Sequence, residues 1–513
     1  MKKRLFIQNA VILTLCSLFL SALGMAFRVY QSNLIGAEGM GLLQLLLSVY
    51  YFATNLAVSG LNLAVTRLVN ESAVSGSSVS AGNVLRKCLG LGLLFGVSTG
   101  LALFLGAPAI GRLWLGDLRA VDSLRVLAVG LPFLSVSCCI RGYFLAVRNS
   151  LKPGSGQILE QLISFAFVAA FFSLSARKSL SDACCGIALG MTVGEICGNL
   201  YIVLLFRLQT RKIFFQKRGK NVPARKIFAI SLPIAVGYYL RSALVSVENV
   251  LIPAGLKRSG SSYGESLARY GVVKGMVLPV LYFPQAFLTA FSMLLIPEVS
   301  EARAARHPAE IRSMASRVFQ ICLLFSCLVV GIIFFFGSEL GLLLYKNAES
   351  GRQMQLLCPL IPFMYLDSIV DAMLKGLDEQ VYSLKVNLSD SCLRVALIAL
   401  CVPRFGISGY LFATFFSVLY NSSLSIGRLM KKSSVRFSFF RWVVLPLICI
   451  GLCCAGTRAL FSLLRFTESS VLLFVCAAGG CAILLYPLLL RLTGCISAED
   501  LQWFRSSFGH KRL

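Results

Sequence analysis

Long apolar segments alternate with short polar ones along the whole chain. A helix needs about 20 apolar residues to cross the core of a bilayer, and runs close to that length recur from end to end. Such runs are too long for barrel strands, which alternate over about ten residues. The pattern predicts an all-α polytopic membrane protein with about fourteen transmembrane helices, near residues 7–30, 41–63, 84–108, 124–147, 156–176, 183–206, 227–253, 270–296, 314–336, 354–374, 384–402, 406–427, 441–463 and 470–490.

The distribution of positive charge orients these spans. An even number of spans puts both termini on one side, and the basic start of the chain, residues 2–4, puts that side in the cytoplasm. The loop 207–226 fits this orientation, since it holds eight Lys and Arg residues and no acid. The apolar run after residue 4 is too long for the core of a secretory signal, so we interpret it as the first span.

A short repeated motif suggests how the spans are grouped. The fourth span ends in Ile140-Arg141-Gly142, and the tenth ends in Leu374-Lys375-Gly376. Six spans separate the two motifs, and an even offset preserves orientation in the membrane. We therefore predict an N-terminal lobe at 1–206, a basic cytoplasmic linker at 207–226, a C-terminal lobe at 227–430, and two additional spans with a cytoplasmic tail at 431–513.

Composition excludes several classes of protein. Hydrophobic residues make up 57% of the chain and charged residues 14%, and the net charge is +27. The cations collect in loops that face anionic membrane lipids, so no nucleic-acid partner is needed to explain them. The 18 cysteines lie almost entirely in apolar runs and the two histidines in loops, so we expect no metal site, no cofactor and no enzyme active site. A nucleotide-binding GxxxxGK[ST] motif is absent from the sequence.

Ionisable residues inside spans are the most informative positions, because each costs roughly 2.5–3.5 kcal/mol on insertion scales. Arg28 lies in the first span, where it either lines a cavity or extends to the interface. Arg241 and Glu248 share the seventh helix about 10 Å apart, so each needs another partner. Lys274 lies in the proline-interrupted eighth span, with the same two alternatives as Arg28. Asp367 begins a polar stripe on the tenth helix.

Other intramembrane charges have simpler interpretations. Asp371 and Lys375 continue the stripe as an i,i+4 pair, and Asp390 and Arg394 form a second such pair on the eleventh helix. Polar side chains in spans five and six add to the set: Glu160, Gln161 and Glu195. Cations and acids spread over many helices, without a nucleophile and base, indicate a hydrated path for an anionic substrate, with Na⁺ or H⁺ as a coupling ion.

Several segments together form a recognisable pattern: Leu34–Gly41, Val58–Leu61, Thr66–Val69, Arg141-Gly142 with Gln157, Glu160 and Gln161, Leu232-Pro233, Leu251–Pro253, Tyr270-Gly271, Pro284 and Ile296–Ala302. This pattern resembles the stage V sporulation protein B group of polysaccharide transporters, within the multidrug/oligosaccharidyl-lipid/polysaccharide exporter superfamily, which includes lipid II flippases. The resemblance implies two six-helix lobes in a V-shaped arrangement, in a bacterial cytoplasmic membrane protein that works by alternating access. Glu248, Ser164 and Lys274 depart from the residues expected of the group, so headgroup contacts are not carried over to Lys274.

The sequence thus suggests a flippase for an undecaprenyl-diphosphate-linked saccharide or cell-wall precursor. Arg28, Arg241 and Lys274 are the candidate contacts to the anionic lipid-linked substrate, and Glu248 and Asp367 are the candidate ion-coupling residues. Two alternatives remain open. One is a cation-coupled multidrug exporter of the same superfamily, and the other is a non-transporting scaffold for envelope synthesis.

Overall fold

A computed structural model describes residues 2–74, 81–147, 149, 151–174, 179–210, 223–433, 435, 437–463 and 471–496. Most of the predicted basic linker and the C-terminal tail lie outside these residues. The described residues are almost entirely helical and contain no β-strand, which confirms the all-α prediction.

The helices follow one another with short connections. In chain order they are α1 Lys2–Val58, α2 Leu61–Val74, α3 Ala81–Ala109, α4 Val121–Ala146, α5 Leu151–Ser173, α6 Leu180–Thr210, α7 Ala224–Arg258, α8 Tyr263–Tyr270, α9 Leu278–Tyr282, α10 Gln285–Ala304, α11 Pro308–Tyr345, α12 Ala348–Leu357, α13 Ile361–Gly376, α14 Gln380–Ser433, α15 Leu445–Leu463 and α16 Val471–Leu492. Wider π-helical turns extend α3, α8 and the start of α15, at Ile110–Leu115, Gly271–Val277 and Phe440–Val444.

Among the described residues, ten helices are long and apolar enough to cross a membrane, and an eleventh is added if the bent α7 counts as one span. The predicted count of fourteen is not confirmed. Two of the ten are 58 and 54 residues long, far longer than one crossing requires. Each contains a glycine with non-helical backbone angles: Gly36 lies between the first two predicted spans, and Gly406 is the first residue of the predicted span 406–427.

The predicted eighth span, 270–296, is not one continuous helix. It is divided among the π-helical turn after α8, the short α9, and α10, with a turn at Phe283-Pro284 between the last two. Proline lacks the backbone N–H that the preceding turn would accept, so Pro279 and Pro284 weaken the helix in this region. The break explains why this segment falls short of the length expected of a single spanning helix.

The chain divides into two compact units. The first contains residues 1–275 and 388–413, and the second contains 276–387 and 414–513. The predicted lobes at 1–206 and 227–430 stay a prediction, because compactness in one conformation does not define which segments move together.

Both units contain the same contact at the repeated motif. In the first unit, the Thr66 hydroxyl donates to the carbonyl of Gly142 over 3.0 Å, and in the second the Ser300 hydroxyl donates to the carbonyl of Gly376 over 3.1 Å. Each pair is separated by 76 residues. The equivalence supports the internal repeat inferred from the sequence.

Glycines bring α1 and α8 into backbone contact within the first unit. A Cβ added to Gly41 would overlap the backbone carbonyl of Leu267, and one added to Gly271 would overlap the carbonyl of Ala37. Only residues without a side chain permit two helices to approach so closely. This contact sets the position of the π-helical turn that carries Lys274.

We expect Gly41→Ala and Gly271→Ala each to destabilise the protein by about 1–3 kcal/mol, because the added methyl group has no space. Thermal unfolding of the purified protein in detergent measures the effect. Gly427→Ala is the matched control, since a Cβ at Gly427 meets nothing within 4 Å. Equal unfolding temperatures for all three variants would contradict the proposed close contact.

Candidate functional site

Four charged side chains from three segments form a network inside the first unit. The Lys274 ammonium donates to Oε1 of Glu248 over 2.9 Å, and Nη1 of Arg394 lies 3.8 Å from Oε2 of the same carboxylate. Nη2 of Arg394 donates to Oδ2 of Asp390 over 3.0 Å. We call Glu248, Lys274, Asp390 and Arg394 the four-charge network.

Helix geometry brings these groups together. Glu248 lies on α7, Lys274 on the π-helical turn after α8, and Asp390 and Arg394 one turn apart on α14. Asp390 and Arg394 are four residues apart on α14, so their side chains lie on one face of the helix, as the sequence predicted for a structural pair.

The network is buried and electrically balanced. The Glu248 side chain is only 4% exposed, whereas those of Lys274 and Arg394 are 20% and 28% exposed. Two carboxylates face two cations, so the group as a whole carries no net charge. A buried ion pair of this kind survives because each partner offsets the desolvation cost of the other. The structure thus joins two residues, Glu248 and Lys274, to which the sequence analysis assigned separate roles.

The remaining candidate cations have no acidic partner among the described residues. Arg241 is exposed on α7, and Arg28 is half-buried on α1 beside buried Gln31 and Ser32. Neither arginine forms an ion pair within the part of the chain that the structure describes. An arginine left unpaired in a spanning segment retains its full capacity to bind an anion.

Asp367 lies in the second unit and contacts another helix. The side-chain amide of Asn421, on α14, donates to its Oδ2 over 3.0 Å. Farther along the stripe, Lys375 lies 2.6 Å from Asp371, which also accepts a hydrogen bond from the Ser383 hydroxyl. The stripe on α13 therefore faces α14.

A second polar network lies in the first unit. The sequence indicated its two acids only as separate polar side chains in spans five and six. The Tyr50 hydroxyl donates to Oε2 of Glu195 over 2.8 Å, and Nη2 of Arg141 lies 2.7 Å from Oε2 of Glu160. The helix that carries Glu160, α5, packs directly against α6, which carries Glu195. We call Tyr50, Arg141, Glu160 and Glu195 the Glu195 network.

Unlike the four-charge network, the Glu195 network contains two carboxyl groups and only one cationic side chain. Glu195 is 7% exposed and forms no ion pair with a described residue. Glycines at 194 and 198 pack α6 directly against Glu160 on α5. The sequence did contain a signal for this buried carboxylate. The acid lies in an apolar span and has glycines on both sides, which permit close packing of helices.

These arrangements suit the binding of anions and small cations better than bond-making chemistry. The described residues contain no group of three His, Cys, Asp or Glu side chains that could hold a metal ion. The unpaired arginines can bind an anion, and the Glu195 carboxylate can accept a proton or a monovalent cation.

The sequence matches a known protein family and is similar to known membrane proteins. Residues 6–291 match the model of a family described as "Polysaccharide biosynthesis protein". Stage V sporulation protein B of Bacillus subtilis (strain 168) is 25% identical over 418 residues, which cover 80% of each chain. Lipid II flippase MurJ of the same organism is 21% identical over 519 residues, covering 94% of each chain.

A solved structure shows the same fold. It is an inward-facing conformation of a multidrug resistance MATE family transporter of the MOP superfamily, with a TM-score of 0.62 and 16% identity. The alignment covers 83% of this chain and 97% of the transporter. Over most of its length, the chain is therefore similar to a lipid II flippase and shares the fold of a multidrug resistance transporter.

We expect Lys274→Met to destabilise the protein by about 3–5 kcal/mol, because it leaves the Glu248 carboxylate buried without its closest partner. Adding Glu248→Gln should recover most of that loss, since Arg394 keeps Asp390. Thermal unfolding in detergent measures both variants.

The control for this prediction is Arg269→Ala, which breaks the exposed pair with Glu265 and should cost less than about 1 kcal/mol. If Lys274→Met unfolds at the wild-type temperature, or if the double variant is no more stable than the single one, the four-charge network does not contribute to stability as described.

Proposed function

Because the chain belongs to the polysaccharide biosynthesis protein family, we propose that it is a flippase that moves an undecaprenyl-diphosphate-linked saccharide or cell-wall precursor across the bacterial cytoplasmic membrane. The substrate is an anionic lipid whose diphosphate has to be stabilised while it crosses the bilayer. Alternating access to the two sides of the membrane would expose the site first to one face and then to the other.

The observation that carries this proposal is a pair of arginines that have no acidic partner among the described residues. Arg28 and Arg241 lie on two different predicted spans, α1 and α7, and a guanidinium group matches the geometry of a phosphate. Placing an uncompensated arginine in a spanning segment is costly, so a role in binding an anion accounts for both residues.

Lys274 is the third proposed contact, but its ion pair with Glu248 has to open before it can bind a phosphate. Its ammonium already donates to Glu248, so a diphosphate at Lys274 would compete with that carboxylate. Exchange of one anionic partner for another would free Glu248 to accept a cation. In this proposal, substrate binding and ion binding alternate at the Glu248–Lys274 pair.

Three carboxylates are proposed as coupling sites for Na⁺ or H⁺. Glu248 and Asp367 follow from the sequence, and Glu195 follows from the structure. Glu195 is the best placed of the three in the present conformation, because its charge is not balanced by a cation within ion-pair distance among the described residues. Glu248 is held by Lys274 and Arg394, and Asp367 by Asn421.

The alternatives make different demands on these residues. A multidrug exporter for organic cations requires an acidic and aromatic cavity, whereas Arg28 and Arg241 favour an anion. A scaffold without transport activity requires none of the intramembrane charges to remain ionised. The same transport experiment distinguishes both alternatives from the proposed flippase.

Proteoliposomes that contain the full-length protein and a fluorescent undecaprenyl-diphosphate-linked oligosaccharide test the substrate. We expect the wild-type protein to accelerate translocation of the lipid. Arg28→Ala and Arg241→Ala should each raise the apparent KM about tenfold or more, because each removes a charge-assisted hydrogen bond to phosphate. Loss of the labelled headgroup from one leaflet, measured with an impermeant quencher, reports the rate.

Arg269→Ala, in an exposed pair, is the control for changes in net charge. No acceleration by the wild-type protein, or undiminished transport when Arg28, Arg241 and Lys274 are all replaced by alanine, would reject the proposed mechanism. Efflux of organic-cation dyes without lipid movement would instead support the exporter.

Neutralising the coupling carboxylate should remove the effect of an imposed ion gradient. We expect Glu195→Gln to abolish stimulation of transport by a proton or Na⁺ gradient, because glutamine preserves the hydrogen bond from Tyr50 but cannot be charged. Glu265→Gln, in the exposed ion pair with Arg269 on α8, is the matched control. If Glu195→Gln retains the stimulation and only Glu248→Gln or Asp367→Asn loses it, coupling resides at one of those carboxylates instead.

A further inference from the structure

Three segments of the first unit meet around Arg119, which belongs to neither charged network described above. Nη1 of Arg119 donates to Oε1 of Glu38 over 2.9 Å, and its Nη2 donates to Oδ2 of Asp117 over 2.8 Å. The Tyr263 hydroxyl, at the start of α8, donates to the carbonyl of Leu115 over 3.4 Å. We call Glu38, Asp117, Arg119 and Tyr263 the Arg119 cluster.

The loop between α3 and α4 holds the Arg119 side chain in place. Asp117 caps the short 3₁₀ turn Leu118–Ala120 by accepting a hydrogen bond from the backbone N–H of Arg119 over 2.9 Å. The Ser181 hydroxyl, at the start of α6, donates to the Arg119 carbonyl over 3.1 Å. Because these contacts fix both its backbone and its guanidinium group, Arg119 presents a defined partner to Glu38 on α1.

α8 packs on this cluster and continues along α1. A Cβ added to Gly264, the second residue of α8, would lie 3.5 Å from the Glu38 carboxylate. Beyond it, the glycine contacts described above join the two helices. Met40 is fully buried, and a Cβ on Gly275 would lie 3.1 Å from its side chain. α8 and the π-helical turn that follows it therefore cover this face of α1.

The predicted orientation places the Arg119 cluster at the outer face of the membrane. Its residues lie in three segments between predicted spans that face away from the cytoplasm, 31–40, 109–123 and 254–269. α7 leads to the same end, because its 35 residues rise about 50 Å along the bent helix from the basic linker. At the linker end, Lys226 instead pairs with Glu71 over 3.0 Å. The Arg119 cluster and this pair thus mark opposite ends of α7.

We propose that α8 is the outer gate of the transport path and that the Arg119 cluster is the surface on which it closes. The inference rests on the alternating access proposed above. Glu38, Asp117 and Arg119 belong to the predicted N-terminal lobe, whereas Tyr263 belongs to the predicted C-terminal lobe. A movement of the lobes that opens the path outward has to separate α8 from this surface, and the present structure has the two in contact.

The charges at this contact suit a surface that opens and closes. Arg119 forms its ion pairs with Glu38 and Asp117, which lie on its own side of the contact, so separation of α8 leaves none of the three unpaired. The Glu38 and Arg119 side chains are already 39% and 35% exposed, so further contact with water costs little. A buried pair split between the two sides would instead strand a charge on opening.

Labelling of a cysteine beneath α8 tests the gate without requiring transport. Met40→Cys is placed in the full-length protein, and spheroplasts are treated with a membrane-impermeant maleimide. Adding Tyr263→Phe, which removes the hydrogen bond to Leu115, should raise the labelling rate about fivefold, the effect of one hydrogen bond on a closed–open equilibrium. Mass spectrometry of the peptide that contains position 40 separates this signal from the native cysteines.

Glu265→Ala is the matched control for labelling, since Glu265 pairs with Arg269 on the exposed face of α8. It should label at the rate of the Met40→Cys protein. Equal rates for the Tyr263→Phe and Glu265→Ala proteins, or labelling only from the cytoplasmic side in inverted vesicles, would overturn the proposal.

A reversible cross-link tests whether the contact has to open during transport. Glu38→Cys and Gly264→Cys place two thiols across it, within reach of a short bis-methanethiosulfonate reagent. Joining them should lower lipid transport about tenfold or more, because a closed gate cannot release substrate outward, and reduction should restore the rate. Glu265→Cys with Arg269→Cys is the control, because it joins two positions on α8 alone. Transport at the full rate with positions 38 and 264 joined would also overturn the proposal.

The two measurements separate this inference from the proposed function. If the wild-type protein moves no undecaprenyl-diphosphate-linked lipid, the flippase proposal fails, and the labelling rates still decide whether α8 opens outward. If Met40→Cys lowers the yield of folded protein, the cross-link at the half-buried positions 38 and 264 decides instead.

Discussion

An ionised side chain in the hydrocarbon core costs several kcal/mol unless protein groups or water stabilise it, and the placement of the intramembrane charges follows from that cost. The Glu248–Lys274 pair is the clearest case. Its carboxylate is almost fully buried, and it is tolerated because two cations from separate segments approach its two oxygens. One of these cations, Lys274, approaches from a π-helical turn rather than from a regular α-helix.

Close backbone contact between helices is the second requirement. Gly41 and Gly271 let α1 and α8 meet without intervening side chains, and Gly142 and Gly376 accept hydroxyl hydrogen bonds at equivalent points of the two units. Spanning helices gain little from the hydrophobic effect when they associate, so packing of small residues and interhelical hydrogen bonds hold them together. The polar side chains of the networks therefore have a second role, in stabilising the helix contacts that position them.

The two networks of the first unit differ in their charge balance, and this difference separates their proposed roles. The four-charge network is neutral, so an ion or an anionic substrate can enter it only by exchange. The Glu195 network has one carboxylate in excess, so it can accept a cation directly. A carrier that couples substrate movement to an ion needs a site whose charge changes during the cycle, and in the proposed mechanism the two networks provide such sites by different means.

The apolar runs determined the helical membrane class, because only helices or closed barrels satisfy backbone groups within lipid. The sequence also identified the intramembrane charges from the apolar runs around them, the Asp390–Arg394 pair from its spacing of four residues, and the Arg141 and Lys375 repeat from two similar motifs. It could not join Glu248 to Lys274, or Glu195 to Tyr50, because those partners lie on different helices and no local pattern encodes their distance. The predicted spans do separate close to Gly36 and Gly406, where the two longest helices have non-helical backbone angles. Only the tertiary structure decided which charges are neutralised and which remain open, because that depends on which helices pack together.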